Sequence, residues 1–146
     1  MRKRRGRIQL RLDRDERAAL EMIVEQLSAK VGQVPRTVPV AYEDAEMQRE
    51  YDRWVRPEVD RSRNQDLDVI RASLGSGEDV TALTEEQALA WVRGLNLLRL
   101  TAGGLLGVED DGWDLRADET VRRSPEYRVL LALGLLQEEL VAVLEG

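Results

Sequence analysis

The sequence predicts a mainly α domain of about five helices around two central leucine-rich helices, with an N-terminal strand in a small two-stranded pair. Three observations carry this. Apolar residues recur at helical spacing in five stretches of the chain. Two cap signatures, "DRDE" and "TEEQ", mark helix starts. One short run, Arg7–Leu12, alternates with period two. At 146 residues the chain is the size of one domain. Residues 1–146 read as a single helical domain that opens with a basic arm, residues 1–7.

In order along the chain, Ile8, Leu10 and Leu12 point one way and Arg7, Gln9 and Arg11 the other, as in a half-buried strand. Asp13 with Glu16 three residues on resembles a capping box, and Leu20, Ile23, Val24, Leu27 and Val31 make the stripe of the helix it starts. Gly32 ends that stripe, and Pro35 and Pro39 mark a loop. A short helix around Glu43–Trp54 carries Met47, Tyr51 and Trp54 on one side. Pro57 suits the first turn of a third helix, whose stripe is Val59, Leu67, Ile70 and Leu74. Gly75–Asp79 reads as a linker.

Thr84–Gln87 is a full capping box. The helix it opens should run to about Leu106, with Gly107 as its stop. Leu95, Leu97, Leu98, Leu100, Leu105 and Leu106 surround most of its circumference, which makes it central rather than peripheral. Gly107–Arg123 is acidic and irregular, with Trp113 and Leu115 as the expected second strand, since a lone strand leaves its backbone groups unpaired. Ser124-Pro125 caps a last helix to about Leu144, whose main face is Val129, Leu133, Leu136, Leu140 and Leu144. The tryptophans and tyrosines fall mostly on helical stripes and read as core, Trp113 excepted.

Composition excludes several kinds of chemistry. The chain holds no Cys and no His. A thiolate nucleophile, a disulfide switch, a Cys/His zinc site and histidine acid–base catalysis are therefore impossible. Carboxylate-only chemistry is left open but nothing signals it, and no phosphate-cradling glycine loop is present, so the expectation is a protein that is not an enzyme and needs no cofactor. Hydrophobic residues are 42% and charged residues 34%, a globular balance. The most apolar stretches are Gly94–Val108, interrupted by Arg99, and the eight residues Val129–Leu136. A spanning helix needs about 20. No signal peptide is evident, and the expectation is a cytoplasmic protein with no membrane contact.

Charge is uneven. Residues 1–11 hold six basic side chains and no acidic one, which leaves 16 basic against 28 acidic residues and a net charge of −12 for the rest. Such a body repels nucleic acid, so any DNA contact must use a local patch.

Several stretches resemble a known family. These are "LTEEQALAWVRGLNLLRLTAGGLLG" (Leu83–Gly107), with Glu86-Gln87, Trp91, Leu95-Asn96, Arg99-Leu100 and Gly107, and "YRVLLALGLLQEEL" (Tyr127–Leu140), with Leu133-Gly134 and Leu136-Gln137-Glu138. More loosely, "REYDRWVRPEVDRSRNQDLDVIRASL" and the arginine-rich opening through "LDRDE" fit as well. Together they resemble an actinobacterial family, mostly of unknown function, named for the oxidative-stress regulator AosR. The resemblance implies an α-rich regulatory protein near the transcription machinery. Redox sensing in the namesake type is attributed to a pair of N-terminal cysteines four residues apart. This chain has none, so a disulfide is not its trigger.

Four features are candidates for function. The arm, Arg2, Lys3, Arg4, Arg5 and Arg7, reads as a handle for DNA, a contact for an acidic protein, or a solvated tail. As a tail it would keep a sheet edge from pairing or fold against the acidic loop Glu109–Asp118. The polar strip Arg93, Asn96 and Arg99 reads as a partner-binding ridge, or as arginines paired with carboxylates of a neighbouring helix. Leu131, Leu135 and Ala142, on the back of the last helix, are either covered within the domain or buried against a second copy. Asp110, Asp111, Asp114, Asp118 and Glu119 do not match the EF-hand spacing and read as an acidic surface loop, not a metal site. The partner expected is another protein, with DNA held through the arm as the more specific reading.

Overall fold

The computed structural model describes residues 2–4, 6–32, 43–105, 123 and 125–146, and at positions 2, 4 and 126 the backbone. The elements are β1 (Arg2–Arg4), β2 (Arg7–Arg11), α1 (Arg14–Ser28), α2 (Ala45–Trp54), α3 (Arg56–Leu74), β3 (Val80–Leu83), α4 (Glu85–Leu105) and α5 (Pro125–Glu145). The fold is mainly α, with five helices among the described residues and an antiparallel N-terminal strand pair, as expected.

Both predicted caps form. The Glu16 N–H donates to Asp13 Oδ1 at 2.8 Å and the Asp13 N–H to Glu16 Oε1 at 3.1 Å. The backbone bond from Glu16 holds the Asp13 carboxyl below the usual carboxylate range. At the start of α4 the Thr84 N–H donates to Gln87 Oε1 at 2.8 Å and the Gln87 N–H to Thr84 Oγ1 at 3.0 Å. Each box satisfies two backbone donors that a helix start would otherwise leave open. Helix α1 ends at Ser28, earlier than its stripe suggests, yet Val31 still packs on the core.

The sheet has three strands in the order β1-β2-β3, both pairings antiparallel. The expected partner of β2 around Trp113 and Leu115 lies outside the described residues. Among the described residues β2 pairs with β1 and β3 instead. The register sets Ile8 opposite Leu83 and Leu10 opposite Thr81. Ile8, Leu10 and Leu83 are buried, each worth about 1.5–3 kcal/mol of burial.

Helix α4 sits at the centre, against α3, α5, α1 and the sheet. Trp91, Leu95, Leu98 and Ala102 are fully buried there. They meet Leu67, Ile70 and Leu74 of α3, Val24 of α1, and Leu130, Leu133 and Leu140 of α5. The Trp91 indole N–H donates to Ser73 Oγ at 3.1 Å, and the Ser73 hydroxyl donates to the Val69 carbonyl at 2.8 Å. A Cβ on Gly94 would lie 2.6 Å from Ile70 Cδ1, so α3 and α4 cross there because no side chain intervenes.

One expectation is corrected and one open alternative narrows. Helix α2 contributes no buried residue; Trp54 is 64% exposed and Met47 52%, so its stripe is surface rather than core. Leu131 and Leu135 of α5 are 40% and 63% exposed, so among the described residues the back of that helix is not covered.

Two glycines in helix interiors should respond oppositely. Gly94→Val should destabilise by about 1–3 kcal/mol in urea unfolding, because the buried Ile70 must move. Gly134→Ala, where a Cβ meets nothing within 4 Å, should stabilise by about 0.5–1 kcal/mol through helix propensity. An unchanged midpoint for Gly94→Val would mean that the α3–α4 crossing is not tight.

Candidate functional site

The basic arm is not a free tail. Arg2 stands opposite Gln9, Lys3 opposite Ile8 and Arg4 opposite Arg7. The chain reverses between Arg4 and Arg7, where Gly6 has φ +76°, a conformation that favours glycine. Ile8 and Leu10 fix β2 to the core, and the alternation leaves Arg7 and Arg11 exposed on the other face, with Gln9 half-buried between them. Over four residues of strand the two arginines stand about 13 Å apart. Lys3 is exposed on the edge strand. Lys3, Arg7 and Arg11 make no ion pair among the described residues.

The register adds an electrostatic point. Residues directly opposite in an antiparallel pair lie about 4.5–5.5 Å apart at Cα. Like charges in such positions disfavour the pairing. The backbone register sets Arg4 and Arg7, two residues of like charge, at paired positions. Arg5 lies outside the described residues.

The polar strip takes the ion-paired form for its first member. Arg93 of α4 donates from Nε and Nη2 to the two carboxylate oxygens of Asp66 on α3, both at 3.0 Å. This hydrogen bonding raises the Arg93 pKa above its ordinary value. Arg99 donates from Nη2 to Asn96 Oδ1 at 3.0 Å. Arg93 and Asn96 also border a groove of about 440 Å³ between α3 and α4, floored by Val59, Leu97 and Leu100. The strip thus joins two helices and edges a groove.

Leu131 and Leu135 share one face of α5 with the exposed Arg128, Glu138, Glu139 and Ala142. Leu135 also lines a groove of about 370 Å³ between α1 and α5, with Leu20, Ile23, Ala132 and Leu136. The acidic residues Asp110, Asp111, Asp114, Asp118 and Glu119 lie outside the described residues. Among the described residues no group of three or more metal-ligating side chains converges, and no helix is long and apolar enough to cross a membrane.

Sequence reasoning passed over one surface. On α2 the Trp54 indole N–H donates to Glu50 Oε2 at 2.9 Å, and the Arg53 guanidinium lies 4.8 Å from the Trp54 ring centroid. Met47, Tyr51, Trp54 and Val55 line a shallow groove with Asp44, Glu46 and Glu50. The polar residues between them were the available signal, since they leave a stripe too narrow to need a cover on both sides.

The architecture is that of a small helical protein with a three-stranded antiparallel sheet at its N-terminal side. The chain belongs to the family described as Domain of unknown function (DUF2017), whose model matches residues 1–144. No curated protein and no solved structure matches it.

The Arg93–Asp66 pair should be modest, because Arg93 is largely exposed. A double-mutant cycle with Arg93→Ala and Asp66→Ala should give a coupling of about 0.5–1 kcal/mol in urea unfolding. A coupling near zero would show that the pair does not tie α3 to α4.

Proposed function

We propose that the chain is a non-enzymatic cytoplasmic regulatory protein that works by binding, with the β1–β2 hairpin as its DNA contact. One observation carries this reading. The arm is folded onto a sheet, which holds Lys3, Arg7 and Arg11 exposed and without acidic partners among the described residues, and sets Arg4 opposite Arg7. Fixed cations lose less freedom on meeting phosphates than a tail does, and each contact releases counterions. The acidic remainder confines such contact to the hairpin. The resemblance to the AosR-like family supports a transcriptional setting, and the absence of His and Cys supports binding over catalysis.

A second reading is a protein-interaction module with no nucleic-acid role. The exposed Trp54 on α2, fixed by Glu50 and Arg53, favours it. Trp, Tyr and Arg are the residue types that carry most binding energy at protein interfaces. Here the hairpin would serve to keep the sheet edge from pairing with other chains.

Fluorescence anisotropy with a labelled duplex separates the two. The DNA reading expects binding at about 50 mM salt that weakens on the order of 10³-fold at about 200 mM, as for six phosphate contacts. Arg7→Glu with Arg11→Glu should abolish it. Absence of binding at low salt, or equal binding by the double variant, rejects the hairpin as a DNA contact. A protein partner that is retained by the double variant and lost with Trp54→Ala would support the second reading.

A further inference from the structure

We propose that two copies of the chain pair through the outer face of α5, with the two helices antiparallel about a two-fold axis. The face is apolar in its middle and oppositely charged at its ends. Leu131 and Leu135, 40% and 63% exposed, occupy the middle. Arg128 lies towards the N-terminal end, and Glu138 and Glu139 lie towards the C-terminal end, all exposed. None of the three makes an ion pair among the described residues.

The spacing is self-complementary. Leu131 and Leu135 are centred on the level of residue 133, and so are Arg128 and Glu138. An antiparallel pair centred at that level therefore sets Leu131 beside the second copy's Leu135 and Arg128 beside its Glu138 in a single register. The charged residues then stand about 7.5 Å along the helix on either side of the axis. A two-fold pair repeats each contact, giving two leucine contacts and two ion pairs flanking them. On a helical wheel Arg128, Leu131, Leu135, Glu138 and Ala142 fall within about 80° of one another, the width of a helix–helix seam. Antiparallel helix dipoles add a favourable term.

Other occupants fit less well. A lone aliphatic ligand would leave both charged ends unused. A basic partner would be repelled by Arg128, and an acidic one by Glu138 and Glu139. The groove beside Leu135, with Ile23 and Leu20 behind it, extends the apolar surface towards α1 and offers the second copy more area than one helix alone. The pairing rests on α5 and does not depend on what the hairpin binds.

Sedimentation equilibrium from about 1 to 100 μM tests this on the full chain. The intact protein should dimerise in this range. Leu135→Glu should leave a monomer with an unchanged melting curve before dissociation is accounted for, because the residue is exposed. Arg128→Glu alone and Glu138→Arg alone should each weaken the dimer about tenfold or more by setting like charges together. The two combined should restore it to within about threefold of the original, since each chain then offers the swapped pair to the other. A monomer at 100 μM overturns the proposal. So does a dimer that ignores Leu135→Glu, or a combined swap as weak as the single changes.

Discussion

The structure depends on covering α4. Trp91, Leu95, Leu98 and Ala102 are fully buried, so a 21-residue helix must be enclosed on nearly every side. Two constraints fix how α3 does this. Gly94 removes the side chain that would hold the helices apart. Trp91 brings a buried N–H that needs an acceptor, and the Ser73 hydroxyl supplies it while donating onward to Val69. Leaving such a donor unpaired costs about 1–3 kcal/mol. The absent side chain and the obligatory hydrogen bond therefore select one crossing of α3 over α4. The Arg93–Asp66 pair lies on the rim of the same crossing.

Enclosing α4 uses one face of each neighbour and leaves the other. For α1 and α3 the free face is largely polar. For α5 it is not, because this helix is apolar on two sides and only Leu130, Leu133 and Leu140 are buried. For α2 the position is sharper still: it packs beside α3 with no buried residue of its own. A ten-residue helix is marginal in isolation, so α2 owes its order to its Asp44 cap, its contact with α3 and its exposed Trp54 cluster. Among the described residues three surfaces thus stand out: a hairpin rich in basic residues, an apolar helix face bounded by opposite charges, and an aromatic helix with an acidic edge.

How much of this was legible from sequence follows from the range of each interaction. Both capping boxes were, because their partners lie three residues apart and the residue types are restrictive. The central place of α4 was, because leucines around most of its circumference leave only a narrow exposed side. Strand β3 was not: Val80–Leu83 is four residues long and runs straight into a cap, so it shows too little alternation to register. Strand β1 was not, because three cations in a row carry no apolar period. The stripes of α2 and the back of α5 were identified as faces but their cover was misjudged for α2 and left open for α5. Periodicity tells which residues share a face; it does not tell whether anything lies against it. Of the candidate residues, Arg93 could be read as free or paired, and only the position of Asp66 one helix away decided that it is paired.

The hairpin reconciles a basic arm with an acidic body. A flexible arm of six cations next to a body of net charge −12 would be drawn onto that body and neutralised there. Pairing β1 with β2 instead ties the backbone of the arm into the sheet. The hydrogen bonds of the ladder hold Arg2–Arg4 at the edge of the sheet, and β2 in turn is held by Ile8 and Leu10 in the core. The backbone of the arm is thereby placed at the sheet edge, with Arg4 and Arg7 at paired positions of the ladder. An edge strand made of cations also resists pairing with a further chain. Protection of the sheet and presentation of charge are thus one arrangement. The difference between them is only in the partner, since repulsion from another strand and attraction to an anion follow from the same row of residues.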